Sequence, residues 1–253
     1  LLSTKHPKHK GATDALYNAS LFRENLGDWK TAIKGYRQYI KRAKSRSDTH
    51  QVLFTIAGLY ERYGEPAKAQ KVYKEYSKTY KTKYPDNYLE AKGKLATMEY
   101  EAGNKKKARK MYAEILRTYN KLKTNKQKPV GASGIGSAAK AAFYLVEPAF
   151  DKYREIRLEL PAKKMGARIK QKLKAMKQLV TRYENVVAFK NDEWAVAALY
   201  QIGMLSEEFA AALIGAPIPP KLTYDQVAIY KLELTEKAEP VKATAIEFYK
   251  KAL

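Results

Sequence analysis

Gly27-Asp28-Trp29-Lys30-Thr31-Ala32-Ile33-Lys34-Gly35-Tyr36 is the stretch whose reading decides the fold. Its outline returns twice. Gly64-Glu65 is followed by Ala69 and Tyr73, and Gly103-Asn104 by Ala108 and Tyr112. Each Ala stands five residues after the Gly and each Tyr four after the Ala, while the glycines lie 37 and then 39 residues apart. A period of that length marks a helical array whose units lean on one another, rather than one closed core. Such arrays usually bind other proteins and catalyse nothing.

The phrase has a mechanical reading as two antiparallel helices, A and B, per unit. Gly27, Gly64 and Gly103 sit where helix A must end, because Gly takes the left-handed conformation at least cost. Asp28 and Asn104 can cap helix B, and Pro66 suits a first helical turn that needs no amide donor. Ala32, Ala69 and Ala108 then mark where helix B crosses helix A closely. Tyr36, Tyr73 and Tyr112 fall one turn later on the same face. Helix A supplies the knobs: Leu16, Ala19 and Ser20; Leu53, Ile56, Ala57 and Tyr60; Leu95 and Ala96. Tyr84-Pro85 is expected to close the second unit, since Pro stops the preceding helix.

Residues 13–120 resemble three tetratricopeptide repeats. Ala15-Leu16-Tyr17-Asn18 followed by Leu26-Gly27-Asp28-Trp29 is close to that family's consensus, although Lys92 and Glu99 replace large apolar residues in the third unit. Ala245-Ile246-Glu247-Phe248-Tyr249-Lys250-Lys251-Ala252-Leu253 looks like the second helix of a further repeat, so the chain reads as a fragment. The resemblance implies an all-α, right-handed superhelical solenoid that acts as a non-enzymatic scaffold. In arrays of this kind the A helices line a concave face. The repeat register places Tyr17, Leu21 and Glu24, then Phe54, Gly58 and Arg62, then Lys94, Thr97 and Tyr100 on that face as a groove for a protein or peptide. The competing reading is that Tyr17 and Phe54 pack between neighbouring units. One mode known in the family clamps a C-terminal carboxylate. The matching positions here are Tyr17, Leu21, Thr55, Glu90 and Lys94, of which Lys94 alone fits, so tail capture is not expected.

The other half is irregular. Asn125 to Ser137 reads as a loop with Pro129, Gly131, Gly134 and Gly136. Gly131 and Gly136 have the separation of a P-loop's glycines, but Ser137-Ala138 follows instead of Lys-Ser/Thr and no strand precedes, so a linker ending in a Ser N-cap is expected. Residues 137–158 read as one helix kinked at Pro148. Residues 162–188 read as a long helix with Met165, Ile169, Leu173, Met176, Leu179, Val180 and Tyr183 on one stripe. Asp192 to Leu213 reads as a third, rich in small residues, with Tyr200-Gln201-Ile202-Gly203 fitting the consensus. Pro217, Pro219 and Pro220 stiffen a loop before a helix from about Thr223 to Lys237. The division that follows is repeats over 13–123, a linker over 124–136, and a longer-helix array over 137–253 that ends inside a further repeat. Phe143-Tyr144-Leu145-Val146-Glu147-Pro148, Glu193-Trp194-Ala195 and Ala216-Pro217-Ile218-Pro219-Pro220 resemble tetratricopeptide proteins of the delta-proteobacterial cell envelope, some tied to gliding motility. That resemblance implies an envelope or periplasmic scaffold, with the cytoplasm as the alternative.

Charge divides the chain as well. Of the net +23, residues 101–130 contribute ten Lys/Arg against Glu101 and Glu114, and residues 161–191 nine against Glu184, whereas residues 192–253 carry nine acids and six bases. Lys105, Lys106, Lys107, Arg109 and Lys110 open a B helix. Lys163, Lys164, Arg168, Lys170, Lys172, Lys174 and Lys177 line another. Together they form a basic band for nucleic acid or an anionic surface, an interaction that salt weakens steeply. A solvated helix face is the competing reading, because Lys outnumbers Arg and no stacking motif interleaves. The chain has no Cys and three His, with His6 and His9 in a Lys-rich tail. It has no Gly-x-Ser-x-Gly or His-Glu-x-x-His, and Glu207-Glu208 point about 100° apart on a helix. An enzyme, a metal site, a cofactor and a small-molecule substrate are therefore not expected. No apolar run reaches the roughly 18 residues of a transmembrane helix, and Leu1-Leu2-Ser3-Thr4-Lys5-His6 has no signal-peptide core.

Overall fold

The computed structural model describes residues 5, 6 and 8–253, so the reading of Leu1–Thr4 lies outside the described residues. The fold is all-α. Helices α1 (Ala12–Asn25), α2 (Trp29–Arg42), α3 (Thr49–Arg62), α4 (Pro66–Thr79), α5 (Pro85–Glu101) and α6 (Lys105–Leu122) are followed by α7 (Ala132–Tyr144), α8 (Glu147–Glu155), α9 (Ala162–Val187), α10 (Asp192–Ile214) and α11 (Tyr224–Lys251). Helices adjacent in sequence pack against one another. The chain divides into two compact units. The first runs to Met111 and includes Asn120–Gly134. The second holds Tyr112–Tyr119 and Ile135–Leu253.

The turn chemistry explains the short helices of the first unit. Gly27, Gly64 and Gly103 have φ of +81°, +72° and +81°, a conformation that ends α1, α3 and α5 and that other residues adopt with strain. The Asp28 carboxylate accepts from the Thr31 amide at 3.3 Å and starts α2. Ala32, Ala69 and Ala108 are fully buried, and Tyr36, Tyr73 and Tyr112 fill the space beside them. The helices also cross closely at Gly35, where a Cβ would overlap the Ser20 hydroxyl. Ser20 satisfies that hydroxyl on the Leu16 carbonyl at 2.8 Å. Tyr39, Leu53, Ile56, Val72 and Tyr76 complete this core. Ala19, expected among the knobs, is exposed.

The second unit buries Phe150, Tyr153, Met176, Leu179, Tyr183, Ile202, Leu205 and Leu213 in its own core. Three boundaries differ from the sequence reading. Pro85 opens α5 instead of closing the helix before it, since α4 has ended at Thr79. The helix expected over 137–158 starts at Ala132 and breaks after Tyr144, and Pro148 lies in the first turn of α8. The helix expected to end at Lys237 runs on to Lys251. Leu234, Ala238 and Ala245 keep one buried stripe across Pro240, and Glu236, whose carbonyl Pro240 leaves without its helical donor, is an exposed residue. A capping box fixes the start of α11: the Gln226 amide donates to Thr223 Oγ1 at 3.3 Å and the Thr223 amide to Gln226 Oε1 at 3.0 Å.

Candidate functional site

The A helices of the first unit present three parallel rows in register. Tyr17, Phe54 and Gly93 form the first, Leu21, Gly58 and Thr97 the second, and Glu24, Glu61 and Tyr100 the third. In the first row Gly93 is buried, and Tyr17 and Phe54 are half-buried against the B helix of their own repeats. Tyr17 lies 5.9 Å from Tyr36 and 5.3 Å from Tyr39, and Phe54 lies 5.4 Å from Tyr73 and 5.3 Å from Tyr76, measured between ring centres. The second row is the floor. Leu21 is exposed, and a Cβ added to Gly58 would meet nothing within 4 Å.

The third row is a chain of hydrogen bonds. Tyr36 Oη donates to Glu24 Oε2 at 2.8 Å and Tyr73 Oη to Glu61 Oε2 at 3.0 Å. Burial, and after it the adjoining carboxylate, raises both phenols well above their ordinary range, so they remain donors at neutral pH. A cation from the next A helix then reaches each carboxylate. Arg62 lies 3.7 Å from Glu24, and Lys94 Nζ donates to Glu61 at 3.0 Å. The expected register is corrected here by one position. Glu61, which the sequence reading missed, is the counterpart of Glu24, while Arg62 and Lys94 flank the row from the following repeat. The signal was present: both carboxylates stand twelve residues before the tyrosine of the phrase.

The device recurs in the second unit. On α10, Tyr200, Gly203 and Glu207 repeat the spacing of Tyr17, Ser20 and Glu24 and of Phe54, Ala57 and Glu61. Tyr249 of α11 donates to Glu207 at 2.6 Å and packs on Tyr200 at 5.4 Å. A Cβ on Gly203 would lie 2.6 Å from the Tyr249 ring. Here the phenol and carboxylate are separated by 42 residues, against 12 in the short repeats.

The basic residues are divided between the units. In the first, Lys105, Lys106, Lys107 and Lys110 are exposed and Arg109 is half-buried. Lys107 Nζ donates to the buried Glu99 at 2.6 Å, a bond that holds the Glu99 carboxyl below its ordinary range. Glu99 is thus an acceptor for the next helix, with Asn104 as a second donor at 3.0 Å. In the second unit, Lys163, Lys164, Lys170, Lys174 and Lys177 are exposed on α9. Arg168 is half-buried and donates to the Glu159 carbonyl at 2.7 Å. Lys172 is a correction, for it is buried. Its ammonium donates to the Tyr153 and Ile156 carbonyls at 3.0 Å each and lies 4.0 Å from the Tyr153 ring centre. It closes the C-terminus of α8, where orphan carbonyls favour a cation.

The glycine loop cradles no phosphate. Asp86 of α5 occupies the N-terminus of α7 and accepts from the Gly134 amide at 2.5 Å. Cβ atoms on Gly131 or Gly134 would each come within 3.0 Å of that carboxylate. Of the clamp positions, Thr55 donates to its own helix at 3.2 Å, and burial raises the Glu90 carboxyl. Among the described residues no three His, Cys, Asp or Glu side chains are placed to hold a metal ion, and no helix is long and apolar enough to cross a membrane.

No family model and no curated protein matches the sequence. Among solved structures, a tetratricopeptide repeat protein from Parabacteroides merdae aligns over 92% of this chain and 88% of its own, at 13% identity and a TM-score of 0.36.

Proposed function

We propose that the chain is a protein-binding scaffold that lays a partner segment along the Leu21–Gly58–Thr97 row. The supporting observation is Gly58. It stands inside α3, where every residue but proline would favour the helix more, and it leaves an open strip between a wall of rings, Tyr17 and Phe54, and a wall of paired charges, Glu24, Glu61, Arg62 and Lys94. An extended peptide suits such a strip: apolar side chains lie over the floor and main-chain groups meet the charged wall. The test replaces Leu21 with a photo-crosslinking residue in the native organism. A partner is expected to crosslink there, to survive about half-molar salt, which screens exposed charges, and to be lost when Gly58→Trp fills the strip. A crosslink unaffected by Gly58→Trp overturns the reading.

A second reading rests on α9. Lys163, Lys170, Lys174 and Lys177 fall on one stripe about 21 Å long, opposite the buried Met165, Met176 and Tyr183, and none forms an ion pair among the described residues. In this reading the stripe binds an anionic polymer or surface. Duplex DNA then binds with an affinity that collapses between about 50 and 200 mM salt, and Lys170→Glu with Lys174→Glu abolishes it. Binding that persists at high salt contradicts this. The envelope location rests on the resemblance of Phe143–Pro148, Glu193–Ala195 and Ala216–Pro220 alone, and fractionation of native cells decides it.

A further inference from the structure

Small side chains leave a gap between α8 and α9. Pro148 and Ala149 of α8 and Ala175 of α9 line a cavity of about 370 Å³, a size within the roughly 300–1,000 Å³ of small-ligand sites. Leu145 and Ile156, just before and just after α8, line it as well. Tyr153 and Leu179, both buried, form its apolar floor.

The charge at this cavity has one sign. Lys152 lines it from α8 and Arg182 from α9, with Gln178 beside them, and none of the lining residues is acidic. Both cations are exposed and neither forms an ion pair among the described residues, whereas Arg154, two residues beyond Lys152, donates to Glu208 at 3.1 Å. An adjoining cavity of about 500 Å³ shares Lys152 and Ile156. It is lined otherwise by Glu155, Arg157, Glu159, Arg168 and Gln171, so apolar matter is confined to the first. An apolar floor under two cations suits a hydrocarbon chain that ends in an anion. A neutral chain leaves the cations unmatched, and an inorganic anion leaves the floor wet.

The geometry points to a fatty-acid site between α8 and α9, in which the acyl chain lies on Tyr153 and Leu179 and the carboxylate meets Lys152 and Arg182. The Arg182 guanidinium can hold a carboxylate through two parallel hydrogen bonds, and the Lys152 ammonium adds a second charge. The site is independent of the peptide strip, which lies in the first unit. It is also separate from the lysine stripe of Lys170, Lys174 and Lys177, which lies roughly a third of a turn round α9.

Titration calorimetry of the whole chain with sodium decanoate tests it. One site with a Kd below about 1 mM is expected. Octanoate, two methylenes shorter, is expected to bind up to about tenfold more weakly, and acetate not at all in that range. Lys152→Gln with Arg182→Gln changes two exposed residues, so the helical circular dichroism of the parent is kept while decanoate binding weakens at least tenfold. Ala149→Phe fills the cavity and abolishes binding. Lys170→Gln with Lys174→Gln removes the same charge from the lysine stripe and changes the Kd less than twofold. A parent chain that does not bind decanoate, or that binds octanoate and decanoate equally, overturns the inference. So does an equal loss in the two double variants, which places the anion on the basic surface at large, or a folded Ala149→Phe chain that binds as the parent does.

Discussion

The α1–α4 repeats and the α10–α11 pair use the same crossing with different lengths of chain. In the first, helices of 14 residues put a tyrosine and its carboxylate twelve residues apart. In the second, helices of 23 and 28 residues and a proline loop separate the same pair by 42. The contacts at the crossing barely change: an aromatic ring, a small residue three positions on, a Glu four beyond that, and a tyrosine from the partner helix. What defines the pair is the crossing. Length outside it is free to vary and costs little, because closing a longer connection raises the entropic penalty only logarithmically. What does change is exposure. Tyr36 and Tyr73 are sealed by a following helix, whereas Tyr249 remains half-open.

That contrast sets the largest expected effect. Tyr73→Ala removes a buried ring and is expected to cost about 3–5 kcal/mol in urea unfolding. Tyr249→Ala, with water already on one side, costs less than half as much. Equal losses at the two positions break the comparison. Next is the buried cation of the second unit. Lys172→Met keeps the stem but takes the ammonium from the Ile156 carbonyl and leaves the Tyr153 carbonyl with the Ile156 amide alone, an expected loss of about 1–3 kcal/mol. Lys174→Met, on the solvated face, changes stability by less than about 0.5 kcal/mol.

Two helical glycines sharpen the comparison by sign. Gly58→Ala is expected to stabilise by about 0.5–1 kcal/mol, since its Cβ meets nothing and helix propensity improves. Gly203→Ala is expected to destabilise by about 1 kcal/mol or more, because its Cβ displaces the Tyr249 ring. Thermal unfolding reads both.

The smallest effect is a pH dependence confined to the first unit. His50 lies under Tyr84 at 3.5 Å between ring centres and within 3.2 Å of Tyr76 Oη, with Asp48 and Lys83 as charged neighbours. Burial lowers its pKa below the ordinary 6.5. The unfolded chain therefore takes up a proton that the folded chain resists, and stability declines as pH falls below about 6.5. His50→Gln is expected to flatten that part of the curve. An unchanged slope contradicts the assignment.

The phrase on the B helices was legible because its Gly, Ala and Tyr each answer a steric demand that few residues meet. The matching triplet on the A helices was hidden. Its small position is filled by Ser20, Ala57, Ala96 and Gly203, and its outer positions lapse to Gly93 and Tyr100 in the third repeat. The Tyr249–Glu207 bond could not be read at all, since loop length sets its separation. Lys172 was legible in principle. Met165, Ile169, Lys172, Met176 and Leu179 advance by threes and fours, which places the lysine on the buried stripe despite its charge. The two helix bounds were misjudged for opposite reasons: Pro148 takes the first turn of a new helix where a kink was expected, and Pro240 sits inside α11 because Leu234, Ala238 and Ala245 carry one buried stripe across it.

The recurring crossing is tested most directly by double-mutant cycles on Tyr36–Glu24, Tyr73–Glu61 and Tyr249–Glu207, with Tyr→Phe and Glu→Gln changes read by urea unfolding. A coupling of about 0.5–1.5 kcal/mol is expected at all three pairs, smallest at the open third. Coupling in the first two and none at Tyr249–Glu207 contradicts the claim that the long helices repeat the device of the short ones.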